Sequence, residues 1–464
     1  MKIQVQNLGV LKQAEFSLGE MTIICGCNNT GKTYATYALF GFLSYWREMF
    51  SIHINESQIN DLLSEGVVHI GVSEYAKRAS DILLDGCNAY RKQLPTVFAA
   101  PAARFKNTEF QVNLDLSKIN LVNQYSRSIS SANSELFSIS KNEGSTDLIV
   151  TLIGDQGKTR IPKNIVAQVI SNALKDIIFG NLFPDPFIAS AERTGAAIFR
   201  KELNFARNRL LEEMSHSDNK VDPIDLLFKV YQDYALPVKV NVDFTRQIEN
   251  ISKEVSFIGE NHSSLLNDFA DIIGGEYAVT RNDELYYIPK NNKRLKLSMD
   301  ESSSAVRSLL DIGFYLKHVA KVGDLLMVDE PELNLHPENQ RRVARLFAQL
   351  VNLGIKVFIT THSDYIIKEL NTLIMLNGKK THLQQIADRE GYRQKELLSH
   401  DKVKVYIAEE SLVKLNGGNR RTRCQTLMPA NIDLELGIEV RSFDKTIEIM
   451  NRIQEEIVWG DSNV

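Results

Sequence analysis

The stretch MTIICGCNNTGKTYAT, residues 21–36, joins an apolar run to a glycine-bracketed loop and the start of a helix. Gly26, Cys27, Asn28, Asn29, Thr30, Gly31, Lys32 and Thr33 fit the spacing G-x-x-x-x-G-K-[ST], and Thr22 to Cys25 supply the strand that must feed it. The spacing has a chemical reason. Two glycines let the backbone curl so that successive N–H groups face inward, where the N-terminus of the next helix adds positive partial charge. Lys32 can then reach the terminal phosphates of a nucleotide, and the Thr33 hydroxyl can ligate a divalent cation. A chance glycine-rich turn is the bland alternative; the strand before it and the helix after it count against that. Alone, the loop says only that a nucleotide binds.

Outward from this loop the chain is ordinary in bulk. Its 464 residues hold material for several domains. With 43% hydrophobic and 24% charged residues it reads as a soluble globular chain. A formal net charge of −4 argues against a chain-wide electrostatic hold on nucleic acid, while leaving room for local basic patches. Cys25, Cys27, Cys87 and Cys424 lack the density and paired spacing of a disulfide framework or a zinc site, which points to a reducing, cytoplasmic setting. The start MKIQVQNLGVLK alternates apolar and polar residues, and no apolar run approaches the roughly 18 residues of a spanning helix. Neither export nor membrane insertion is expected.

Before the loop, residues 3–6 and 14–18 read as two further strands, and the helix after it runs to about residue 46. Between 47 and 180, helical patterns occur at 56–63, 72–89 and 165–179, and strand-like runs at 110–114 and 148–153. The serine-rich stretch 125–140 shows no clear period and is expected to be loop. FIASAERTG, residues 187–195, reads as a short buried strand delivering Glu192 and Arg193 to a loop, which suits either a phosphate site or a salt-bridged surface turn. A helix at 196–215 is basic at Arg200, Lys201, Arg207 and Arg209, as a solvated face would be, with a DNA contact as the second reading. Residues 216–275 carry helical segments without a sustained heptad repeat. Strands follow at 277–297, with turns at 281–283 and 291–292, and then a single helix running to residue 320.

Two later stretches complete the pattern. LLMVDE, residues 325–330, ends an apolar run in two carboxylates. Beside a phosphate loop, Asp329 can hold the shell of Mg²⁺ and Glu330 can polarise an attacking water. Core filling does not explain a charged pair at the end of a buried strand. One strand further, IKVFIT at 355–360 leads into Thr361, His362, Ser363 and Asp364. A lone histidine after a strand is more often structural. Here it follows a phosphate loop, a carboxylate strand and a helix at 337–352, and that order makes His362 a candidate to hydrogen-bond a γ-phosphate.

These motifs resemble the ABC-type ATPase heads of the RecF, Rad50 and OLD-like group, in Asn28 within GCNNTGKT, in VDEPELNLHP at 328–337 and in TTHSD at 360–364. The resemblance implies an α/β fold: an ABC-type ATPase head, a P-loop mixed sheet flanked by helices, with a large, partly helical insertion between Walker A and Walker B. It implies ATP and Mg²⁺ as cofactors. Gly26, Cys27, Asn28, Asn29, Thr30, Gly31, Lys32 and Thr33 would cradle the nucleotide, Thr33 and Asp329 the metal, and Glu330 and His362 would be catalytic. Residues 332–336 correspond to the D-loop, which crosses to the opposite subunit. The signature serine lies among Ser302, Ser303 and Ser304, with Ser303 favoured, although Ala305 stands where a glycine is common. No glutamine is assigned to the Q-loop.

Lys32 and Asp329 stand 297 positions apart, so a large insertion divides the two halves of the site, and the missing heptads speak against Rad50 and the structural-maintenance proteins. With AERTG at 191–195 and GIEVRSFDKTIEIMN at 437–451, the chain is most similar to the standalone ATPases of bacterial antiphage systems, the PARIS ATPase subunits first, with Septu ATPases and OLD nucleases as relatives. That resemblance implies a head-to-tail ATP sandwich within a larger homo-oligomer. It further implies a toxin–antitoxin-like role in which a Toprim-type nuclease effector is held until a phage-encoded trigger protein is sensed. The expected division is a head half with Walker A at 1–50, an insertion at 51–180, an AERTG strand and helical lobe at 181–275, the second head half at 276–375, and an α/β tail at 376–464 suited to an oligomer or partner contact. In the tail a strand at 402–408, a basic loop at Arg420, Arg421 and Arg423, and a helix at 444–458 are expected, without the acidic set of a Toprim domain. A RecF-like repair or recombination ATPase binding duplex DNA is the alternative; the basic loop, more often a solvated turn than a nucleic-acid contact, and residues 290–296 are its electrostatic candidates. A transporter cassette is disfavoured by the long insertion.

Overall fold

The computed structural model describes residues 1–131, 134–153, 161–198, 234–280, 284–415, 420–435, 437–439 and 449–457. Short apolar runs with few charges are the material of strands covered on both faces. Accordingly β1 (Met21–Cys25) and β3 (Leu325–Asp329) are buried at every position. With β2 (Pro186–Ala189), β4 (Lys356–Thr361), β5 (Val403–Lys414) and β6 (Arg421–Pro429) they build a six-stranded sheet in the order β6-β5-β1-β4-β3-β2. All pairings are parallel except that of β5 with β6, so the sheet is mixed. Register sets the geometry that matters. Cys25 lies opposite Thr361 and Ile407, Thr360 opposite Asp329, and Val328 opposite Ala189. Loops after β1, β4, β3 and β2 therefore leave the sheet at one edge and at nearly one level, the crevice in which open α/β sheets take ligands.

Flanking helices pin that edge. α1 (Lys32–Met49) follows the phosphate loop, and α2 (Ser304–Ser308) is capped by the Ser303 hydroxyl, which accepts from the Val306 N–H at 3.4 Å. α3 (Pro337–Asn352) starts where the sequence says it must, with Pro at its first position and His336 as cap. Its apolar face, Val343, Ala344, Phe347, Leu350 and Val351, enters the same core as β1, β3 and β4. Arg341 and Arg345 on its other side both grip Glu369 of α4 (Asp364–Leu376), a buried carboxylate shared by two guanidiniums.

Instead of the single helix expected up to residue 320, three short pieces appear: α2, Leu310–Phe314 and a π-turn over Tyr315–Val319. The break at Leu309 has a visible cause. The Ser308 carbonyl, which a continuous helix would use internally, accepts from the Arg193 Nε at 2.7 Å.

The chain divides into two compact units, one of Met1–Gln4, Gly41–Leu94 and Thr108–Asp185, the other of Val5–Phe40, Pro95–Asn107 and Pro186–Val464. In the first, a four-stranded antiparallel sheet runs Val67–Gly71, Asp147–Leu152, Ser134–Lys141, Tyr125–Ser131, with helices at Glu56–Glu65, Ala79–Arg91 and Lys163–Phe179. Its core is aromatic, with Phe50 and Phe179 at 4.9 Å between ring centroids and Trp46 and Phe183 at 5.0 Å. The serine-rich stretch is a hairpin, not a loop. Phe137 and Ile139 alternate inward, and serines on the other face hide that period of two from the sequence. The helix expected over 72–89 is split into Val72–Ala76 and Ala79–Arg91.

Most of the basic helix expected at 196–215, the turn at 281–283 and parts of the helix expected at 444–458 lie outside the described residues. Among the described residues, no helix is long and apolar enough to cross a membrane.

Asp311, on the middle piece of the broken helix, is 1% exposed, and neither carboxylate oxygen has a hydrogen-bond partner among the described residues. Burial pushes its carboxyl up to about 7, with the Arg193 charge opposing. A folded-state pKa above the unfolded one means that the native chain holds an extra proton between about pH 4 and pH 7, so stability falls as pH rises through that window. Asp311→Asn is expected to flatten this slope and to raise the thermal midpoint at pH 8, on the order of 2 °C per kcal/mol relieved at this size. Scanning fluorimetry of both chains at pH 5 and pH 8 checks it.

Candidate nucleotide-binding site

The loop between β1 and α1 has the backbone its glycines foretell. Gly26 (φ 139°) and Gly31 (φ 101°) lie in the left-handed half of conformational space, as does Asn29 (φ 63°). A Cβ on Gly26 would stand 2.5 Å from the Ala408 carbonyl oxygen of β5, so the position admits no side chain. Cys27, Asn28 and Asn29 are exposed, and Lys32 is 6% exposed. Its ammonium folds back across the loop to donate to the Gly26 oxygen at 2.9 Å and the Cys27 oxygen at 2.8 Å. Thr30 donates to the Cys27 carbonyl at 2.8 Å, while the Thr33 side chain is open to solvent. The result is a preformed cradle with its cation inside it.

Asp329 ends β3 with 2% of its surface exposed and its carboxylate accepting from the Thr360 hydroxyl. Burial pushes its carboxyl up to about 6; the Thr360 bond opposes, and the negative charges of Glu330 and Glu192 add to the rise. Glu330 has φ 49°, a conformation rare for a residue with a side chain, and is locked there by its N–H donating to the Thr360 carbonyl at 3.1 Å. The turn aims the Glu330 carboxylate at His362, whose Nδ1 is 3.4 Å away. Glu332 fixes the histidine from below: its Oε1 accepts from the His362 N–H at 2.7 Å and the Thr361 hydroxyl at 2.8 Å, and lies 3.3 Å from His362 Nδ1.

Neither reading of AERTG describes Arg193. It is 1% exposed, and its guanidinium donates to four carbonyl oxygens: Ser190 at 2.8 Å, Ser308 at 2.7 Å, Asp329 at 2.7 Å and Glu330 at 2.9 Å. It is a strut joining the ends of β2 and β3 to α2. Glu192 stays exposed and accepts from the Tyr37 hydroxyl of α1 at 3.1 Å.

Residues 1–367 match the AAA ATPase domain family. The chain belongs to that family. No curated protein matches it in sequence. Among solved structures it is similar to an SmcHead bound to the C-winged helix domain of ScpA, at 12% identity and TM-score 0.32 over 91% of this chain and 97% of that one. It is similar also to the SMC head domain from Thermotoga maritima, at 9% identity and TM-score 0.32 over 93% and 98%. The Smc head domain with an extended coiled coil bound to the C-terminal domain of ScpA, derived from Pyrococcus furiosus, aligns at 12% identity and TM-score 0.28 over 98% of both chains. Likenesses this distant carry no function across.

Within this AAA-family chain the serine run divides. Ser302 is buried and donates to the Ser298 carbonyl at 2.7 Å, whereas Ser303 and Ser304 are exposed at the start of α2. Beside Thr33 a cavity of about 600 Å³ is lined by Tyr34, Tyr37, Phe98, Arg104 and Phe105. Sequence reasoning missed Tyr37, Thr360 and the anchoring role of Glu332. Tyr37 carries no motif signal at all; Thr360 and Glu332 sit inside TTHSD and VDEPELNLHP, where their places two residues from His362 and Glu330 were the available clue.

Of the strand-end contacts, those of Arg193 are the most costly to lose, because its removal leaves buried carbonyls without donors. Arg193→Gln is expected to destabilise the fold by about 3 kcal/mol or more, which equilibrium urea unfolding would register as a lower midpoint. An unchanged midpoint would mean that those carbonyls find other donors.

Proposed function

We propose that this chain is a Mg²⁺-dependent ATPase that binds ATP between two heads, and that it serves as the sensor and scaffold subunit of an antiphage defence system. The observation that carries the ATPase part is the register of β1, β4 and β3, which sets the phosphate loop, His362 and the Asp329–Glu330 pair at one edge of one sheet. The residues present suit the cofactor: a glycine cradle no side chain can fill, a buried lysine across its mouth, and a hydroxyl and a carboxylate for a cation.

Each residue then has a task. Gly26 to Thr33 hold the phosphates through backbone and the Lys32 ammonium, which exchanges its two carbonyl partners for phosphate oxygens. Mg²⁺, when bound, neutralises phosphate charge and draws electrons from the terminal phosphoryl group. Thr33 and Asp329 would hold it. Glu330, held in its strained turn, takes the proton of the attacking water, and His362, steadied by Glu332, donates to the γ-phosphate. Aromatic faces of Tyr34, Phe98 and Phe105 offer the adjoining cavity a wall suited to a base. Ser303, exposed at α2, closes the site of a second copy, in head-to-tail fashion.

Motif resemblance supports the defence reading: AERTG at 191–195 and GIEVRSFDKTIEIMN at 437–451 resemble those of standalone antiphage ATPases. On this reading the homo-oligomer holds a Toprim-type nuclease effector and releases it when a phage-encoded trigger protein arrives. The RecF-like alternative makes the head a duplex-DNA binder. The described basic candidates are partly engaged already, Lys290 with Asp271 at 2.5 Å and Arg423 with Glu410 at 3.2 Å.

Glu330→Gln is expected to keep ATP binding while cutting turnover by about a hundredfold or more, and to accumulate an ATP-dependent oligomer on a sizing column. Normal turnover would remove Glu330 from the mechanism. Expressed together with the gene adjoining its own, the chain is expected to copurify with a nuclease in a stable complex. Salt-sensitive, ATP-dependent binding to duplex DNA without such a complex would favour the RecF-like role instead.

A further inference from the structure

Glu192 is an exposed acidic group at the strand-end crevice that the mechanism above leaves idle, and its placement is over-determined. Ser190, two residues earlier, donates its N–H to the Asn241 Oδ1 at 2.8 Å. Arg193, the next residue, is fixed by four carbonyls, two of them those of Asp329 and Glu330. Glu192 is thus held on one side by the end of β3 and on the other by Asn241 of the helix Leu236–Arg246, yet remains exposed. Its carboxylate is oriented by Tyr37, which shares one face of α1 with Thr33, one helical turn away. Asp329 feels the Glu192 charge through space.

We propose that Glu192 is a positioning residue of the cation site, an outer carboxylate that accepts from water in the shell of a divalent cation held between Thr33 and Asp329. This rests on the ATPase reading. Three features favour it over a purely structural role. The carboxylate is solvent-facing and forms no ion pair among the described residues, since the Arg193 charge is spent on carbonyls. Its Tyr37 bond engages Oε2 and leaves Oε1 for a water. And the face of α1 that presents Thr33 also presents Tyr37, so the element that brings the inner hydroxyl brings the clamp of the outer carboxylate. Outer-sphere carboxylates of this kind orient metal-bound water and sharpen the choice of cation.

Glu192→Gln is the discriminating variant, because the amide oxygen still accepts from Tyr37 and only the charge is lost. ATP binding is followed by fluorescence of a trinitrophenyl-ATP probe, first in EDTA and then across a Mg²⁺ titration. The Mg²⁺ midpoint is expected to rise about tenfold, while affinity in EDTA stays level or tightens, since one negative charge near the phosphates has gone. A Mg²⁺ midpoint equal to that of the unaltered chain overturns the proposal, as does an equal loss of affinity with and without Mg²⁺. Should the Gln variant not fold, Tyr37→Phe decides alone: it unclamps the carboxylate, and an unshifted Mg²⁺ midpoint refutes the role. If the unaltered chain shows no Mg²⁺-dependent binding, the ATPase reading itself fails, and that result is distinct from either variant's.

Discussion

Parallel pairing of β1 with β4 and of β4 with β3 is the constraint on which the site depends. Two segments separated by 297 positions are placed two strands apart, at about 4.8 Å per strand. No local sequence feature brings Lys32 near Asp329; only this register does. A slip of one residue would turn each side chain of β4 to the opposite face of the sheet, and with it Thr360, whose hydroxyl holds Asp329. The register is guarded at depth. β1 and β3 are wholly buried, and the α3–α4 layer is closed by the doubly gripped Glu369, so a slipped strand would expose apolar surface and strand a buried carboxylate.

Around that edge the electrostatics are deliberately unbalanced. Asp329, Glu330, Glu332 and Asp311 all act on Arg193, yet its N–H groups are given to carbonyls and not to carboxylates. The guanidinium compensates the acids through space while its bonds hold the backbone. The carboxylates are thereby left without a guanidinium bond, Asp329 and Glu332 accepting instead from hydroxyls and a backbone N–H. Burial is the main cause of the rise in the Asp329 carboxyl, and a divalent cation beside it would reverse that rise.

How much of this was legible in the chain follows from the range of the interactions. The phosphate loop, LLMVDE and TTHSD are local patterns in which strand, turn and chemistry lie within a dozen residues, and each sits where its pattern put it. Helix 337–352 was readable to the residue because Pro337 opens it and a strong apolar stripe continues it. Where a contact partner is distant, the sequence was silent. Nothing in residues 402–408 says that β5 lies beside β1, and nothing in AERTG says that its arginine points inward and its glutamate outward. The serine-rich hairpin was lost for a different reason, because polar residues on its outer face drown the alternation of Phe137 and Ile139.

The broken helix after residue 303 acquires a meaning in this light. A continuous helix would bind α2 rigidly to the core through Leu310–Phe314. Instead the ladder is interrupted at Leu309, and a π-turn follows at Tyr315–Val319, so the end of α2 is joined to the Arg193 strut where a continuous helix would have bonded to itself. The same guanidinium holds the Glu330 carbonyl. Any shift of the Glu330 turn is therefore transmitted, through one buried group and two short hydrogen bonds, to the element that exposes Ser303. The strut thus ties the backbone of the Glu330 turn to the end of α2 through one buried group, while Tyr277 and Arg307 hold α2 itself by donating to the Val306 and Ser302 carbonyls.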